Sequence, residues 1–134
     1  MKNSSFAGFL DGYRSRNFAS IEPSMQIKLN DTIDLLYNAV NYDGIHNSEM
    51  LDFLRKGLSI LSERHPSNII STLCEFGELL RSKIVLINNI ILELSPVGKD
   101  RMRKIIYNFA NLAKMSEETT IINLAIDIGE KFNY

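Results

Sequence analysis

The sequence has few of the residues with which small proteins form stabilising disulfide bonds or structural metal sites. It contains one cysteine, Cys74, and no tryptophan among its 134 residues. A lone cysteine cannot form an internal disulfide, so we expect a reducing compartment and a cytoplasmic location. Because there is no cysteine pair, the chain also lacks a zinc-finger pattern and a Cys-x-x-Cys redox motif.

An excess of charge of one sign is also missing. The chain carries 15 Lys and Arg against 16 Asp and Glu, for a net charge of -1. This balance excludes a general electrostatic attraction to nucleic acid or to anionic membranes, which only a local patch could then supply. The most apolar stretch, 84–94, includes Asn88, Asn89 and Glu93. It is too short and too polar for a membrane span, and the apolar run near the N-terminus is too short for a signal peptide.

What the sequence does contain is typical of one globular domain over 1–134. Its hydrophobic fraction is 45% and its charged fraction 23%, both values of ordinary folded domains. A chain of this length can bury a sizeable core without a disulfide or a metal. Isoleucine and asparagine are frequent and alanine is rare, a bias that an AT-rich coding sequence would give, and from it we expect a bacterial accessory protein.

Six segments show the apolar spacing of helices. They cover about 5–15, 23–42, 48–64, 67–94, 96–114 and 116–132, and short polar stretches separate them. Capping residues support these bounds: Gly44 follows the second segment, Asn47 or Ser48 precedes the third, and Ser95-Pro96 precedes the fifth. The sixth segment is predicted to start at Ser116.

The fourth segment leaves one question open, because it is either one long helix or two helices with a break near Arg81-Ser82. Its second half, 84–92, is apolar nearly all round. Such a helix is expected in the middle of a bundle, with Ile87 and Ile91 buried. A buried strand would fit the same run, but the chain offers no second strand for pairing. The predicted fold class is therefore all-α, an antiparallel bundle of five or six helices.

Residues that could carry catalysis or bind metal do not form a recognisable set. The two histidines, His46 and His65, lack further ligands at metal-site spacing. Glu75 and Glu78 lie one turn apart and could do acid–base work, but paired carboxylates on a helix flank are usually solvated. Cys74 fits a buried small hydrophobe better than a nucleophile. We expect no cofactor and no metal, and an enzyme remains an unsupported alternative.

The first feature that favours a binding function is a basic cluster at the start of the fifth segment. It comprises Lys99, Arg101, Arg103 and Lys104, interrupted only by Asp100. Cations at the start of a helix interact unfavourably with the helix dipole and repel one another. A partner with acidic groups or phosphates would offset this unfavourable electrostatic free energy. Arg101 and Lys104 are predicted to share an exposed face. The alternative is a solvated charged end of the helix.

The second feature is the aromatic N-terminal segment. Phe6, Phe9 and Tyr13 lie at helical spacing, with Arg14 and Arg16 beside them. Such an arm can dock in the groove of a partner or exchange between protomers. A homo-oligomer is therefore one of the assemblies that this segment allows. The alternative is a helix that only covers the bundle.

We therefore expect a protein-binding module that covers a surface of a protein partner, as an adaptor, an inhibitor, or an immunity- or chaperone-type protein does. Its general composition resembles that of small bacterial immunity proteins and secretion chaperones, without a residue-level motif. The alternative is a regulator that binds nucleic acid through residues 99–104. A second alternative is an enzyme whose site the sequence does not reveal.

Overall fold

A computed structural model describes residues 23–62 and 69–132. Within these ranges the chain forms six helices and no strand, which confirms the predicted all-α class. The helices are α1 (Pro23–Tyr42), α2 (Ser48–Ser62), α3 (Ile69–Ser82), α4 (Ile84–Ile91), α5 (Pro96–Ser116) and α6 (Thr119–Lys131). The predicted N-terminal helical segment, the predicted end of the third segment near 64 and the predicted start of the fourth at 67 lie outside the described residues.

Local signals define several of the helix ends. The backbone N–H of Met50 donates to Asn47 Oδ1 at 2.8 Å, so Asn47 caps α2. Ser95 caps α5 by accepting from the Gly98 N–H at 3.1 Å. After α1, Gly44 has φ of 69°, a left-handed conformation that glycine adopts without a steric cost. These caps confirm the bounds predicted from the sequence.

The prediction for the start of the sixth helix was wrong. Ser116 ends α5, and α6 begins only at Thr119. Glu117 adopts the left-handed conformation with φ of 57°, and Glu118 is extended. The two glutamates therefore form the turn between the helices and do not occupy the first turn of α6.

The fourth predicted segment is broken in two at Lys83. Its φ of -112° and ψ of 8° depart from helical values, and its N–H donates to Leu80 O rather than to a carbonyl four residues back. Just before the break, the Ser82 hydroxyl donates to Leu79 O at 2.8 Å, a side-chain bond that competes with helix continuation. Lys83 Nζ lies 3.2 Å from Glu49 Oε2, which ties the break to the first turn of α2.

The core is continuous, and α5 is its central element. This helix packs against α1, α6 and α3, and α3 packs against α2 and α6. Phe76 of α3 and Phe109 of α5 meet edge to face with ring centroids 5.9 Å apart. All six positions predicted to face inward on the fifth helix are buried: Met102, Ile105, Ile106, Phe109, Leu112 and Ala113.

The expectation for α4 was only half right. Ile87 and Ile91 are buried as predicted. Val85 on this helix and Leu92 directly after it are largely exposed, so α4 lies at the surface rather than in the middle of the bundle. On α2, Met50 is fully buried whereas Leu51 is only half-buried.

Candidate functional site

The basic cluster occupies the first two turns of α5, but it does not form one face. Successive residues of an α-helix project about 100° apart. Lys99 and Arg103 are four residues apart and share one side of α5, whereas Arg101 and Lys104 are three apart and share another. The two pairs therefore point in different directions. Within the second pair, Arg101 reaches toward α1, where its side chain contacts Asp43.

Arg101 is held by a bidentate ion pair with Asp43, the residue that follows α1. Arg101 Nε donates to Asp43 Oδ2 at 2.8 Å, and Nη2 donates to Oδ1 at 2.9 Å. The side chain of Asp43 is 1% exposed and that of Arg101 22%. A paired, planar guanidinium suits a buried carboxylate because it satisfies both oxygens at once. This contact joins the end of α1 to the start of α5.

The electrostatics of Arg101 follow from this contact. The hydrogen bond with Asp43 is the main cause that raises the pKa of the Arg101 guanidinium above its ordinary value. Burial acts in the opposite direction, and the charges of Asp43 and Asp100 add to the increase. The cation is therefore held firmly in its charged form and directed into the protein.

The expectation that Arg101 is a freely exposed cation was wrong. Its guanidinium faces the protein because a buried carboxylate 58 residues away in the chain accepts its hydrogen bonds. Lys104 does project outward: its side chain is 61% exposed, and Nζ lies 3.2 Å from Asp100 Oδ2 one turn back. Lys99 and Arg103 are half-buried. Whether any of the four contacts a partner stays a prediction.

Phe6, Phe9 and Tyr13, the other residues predicted to bind a partner, lie outside the described residues.

Exposed aromatic and apolar side chains lie on the helix ends that the Asp43–Arg101 contact joins, and none of them was predicted as a candidate site residue. Tyr42, directly before Asp43, is 68% exposed, and Val97 on α5 is 59% exposed. Gly98 is so close to Asp43 that a Cβ on the glycine would lie 3.6 Å from Asp43 Cβ. The ends of α1 and α5 that carry Tyr42 and Val97 are therefore adjacent.

Two further residues extend this region. The rings of Tyr37 and Tyr42 meet edge to face with centroids 6.2 Å apart, and Tyr37 is also well exposed. Val97 and Lys104 are seven residues apart, about two helical turns, and so share one side of α5. We call the last two turns of α1, which carry Tyr37 and Tyr42, together with the first turns of α5, which carry Val97 and Lys104, the α1/α5 corner. Its one sequence signal is that the aromatic Tyr42 stands between two polar residues, Asn41 and Asp43, at the end of the helix.

The other candidate residues from the sequence do not converge on this corner. Glu78 is exposed and pairs with Arg81 at 2.6 Å, and Glu75 is half-buried. Cys74 is a free, half-buried thiol, and His46 is exposed. In the described part of the chain, no three His, Cys, Asp or Glu side chains are grouped as a metal site would require. His65 lies outside the described residues.

The surface of the described helices carries small clefts. One of about 320 Å³ lies between α2 and α3 and is lined by Lys56, Ser59, Ile60, Glu75 and Leu79. Another of about 160 Å³ lies between the α1–α2 connection and the end of α4. No residue of the basic cluster lines either cleft.

Comparison with known proteins gives no functional lead: no protein-family model, no curated protein and no solved structure matches the chain. Among the described helices, none combines the length and the apolar character needed to cross a bilayer.

Proposed function

We propose that this protein is a protein-binding module that covers a surface of a partner protein, as an adaptor, inhibitor, or immunity- or chaperone-type protein does. The α1/α5 corner is its proposed docking surface. The observation that carries this proposal is the exposure of Tyr42 and Val97 on two helix ends that a partly buried ion pair holds together. Tyrosine is enriched at protein interfaces because its ring covers a large area and its hydroxyl can still reach water or a partner.

Contacts that fix the helix ends and the tyrosine side chains support the corner as a binding surface. The bidentate contact between Asp43 and Arg101 joins the ends of α1 and α5. Tyr42 also packs edge to face on Tyr37. Side chains that are already ordered lose less conformational entropy on binding, so a given contact area contributes more to affinity.

The charge of the corner favours a protein over nucleic acid as the partner. The charge of Arg101 is balanced by Asp43, and that of Lys104 by Asp100. Affinity for nucleic acid comes largely from neutralising several phosphates, which needs an excess of cations on one face. A mixed surface of tyrosines, an aliphatic side chain and one lysine is closer to the composition of a protein interface.

The test is a capture experiment on extract of the native host, with and without nuclease treatment, in which bound proteins are identified by mass spectrometry. The test variant combines Tyr42→Ala with Lys104→Glu, which removes the aromatic ring and reverses the exposed charge. The control is Ile126→Ala, since Ile126 is 54% exposed on α6 and contributes nothing to the corner. Arg101 is left intact, because its replacement would strand the buried carboxylate of Asp43 and confuse loss of fold with loss of binding.

We expect the test variant to lose a partner that both the wild type and Ile126→Ala retain. Truncation of one central interface tyrosine commonly costs about 2 kcal/mol, which is roughly a 30-fold loss of affinity. Equal melting temperatures of the three proteins would show that the fold is intact. Retention of the same partners by the test variant would contradict the proposed surface. Capture that disappears with nuclease treatment, or falls steeply between 50 and 200 mM salt, would favour a nucleic-acid ligand.

A further inference from the structure

We draw no further inference here: the strongest candidate, the exposed apolar patch of Val85 on α4 and Leu92 directly after it, carries nothing because the structure does not show what covers it.

Discussion

Gly77 lies where α3 approaches α5 and α6 most closely, and replacing it with alanine is a sharp test of the packing. A Cβ on Gly77 would lie 2.5 Å from Leu124 Cδ2 and 2.5 Å from Phe109 Cζ. Both of these side chains are buried. Phe109 also packs on Phe76, so it cannot move without disturbing a second aromatic ring. The added methyl group therefore requires the core to rearrange.

The size of the effect follows from two opposing contributions. Replacing glycine with alanine inside a helix stabilises the helix by about 1 kcal/mol. Forcing an extra methyl group into a packed core costs about 1–3 kcal/mol or more, and contacts of 2.5 Å place this site at the upper end of that range. We expect Gly77→Ala to lower the free energy of unfolding by about 1–2 kcal/mol.

Gly129 provides a matched control in α6, because a Cβ there would meet nothing within 4 Å. The same substitution should raise the free energy of unfolding by about 0.5–1 kcal/mol. The measurement is urea unfolding monitored by circular dichroism for wild type, Gly77→Ala and Gly129→Ala. Their free energies of unfolding are compared with one common m-value, the slope of that free energy against urea concentration. If Gly77→Ala proved as stable as Gly129→Ala, the close approach of α3 to α5 and α6 would be refuted.

Three further predictions concern the core, the ion pair and the fold. Ile87→Ala or Ile91→Ala should each lower the free energy of unfolding by about 2–5 kcal/mol, because both side chains are buried; a loss below about 0.5 kcal/mol would place α4 outside the core. Arg101→Met should cost about 2–4 kcal/mol by leaving the Asp43 carboxylate unpaired. A double-mutant cycle with Asp43→Asn should then return a coupling energy of about 1–3 kcal/mol, and a value near zero would mean that the pair does not join α1 to α5. Far-UV circular dichroism of the full chain should be dominated by helix, and a strong strand signal would contradict the all-α architecture.

Much of the architecture follows from local rules that act within a few residues. Apolar side chains at helical spacing predict which face of α5 is buried, and all six of its predicted core positions are buried in the structure. Caps are local as well, because a side chain such as that of Asn47 or Ser95 bonds to a backbone N–H three residues on. Where two local signals compete, the outcome is less certain: Ser116 resembles a helix start, yet it ends α5.

The candidate site depended on contacts that local rules do not describe. By composition alone, Lys99, Arg101, Arg103 and Lys104 form a single basic cluster. The structure divides this cluster, because Asp43 binds Arg101 whereas the Lys104 side chain projects outward. The aromatic part of the α1/α5 corner was missed for a related reason: an exposed Tyr42 cannot be told from a buried one until the packing of α1 is known.

The sequence by itself therefore determined the all-α class, most of the helix bounds and the buried stripe of α5, because spacing and capping act over one or two turns. Only the tertiary structure decided that Arg101 binds Asp43, that α4 lies at the surface, and that the helix ends carrying Tyr42 and Val97 are adjacent. Each of these depends on contacts between helices that are far apart in the chain, such as Asp43 with Arg101 across 58 residues. A charge or an aromatic ring has the same local pattern whether it faces a partner or the core, and the packing of the helices sets the difference.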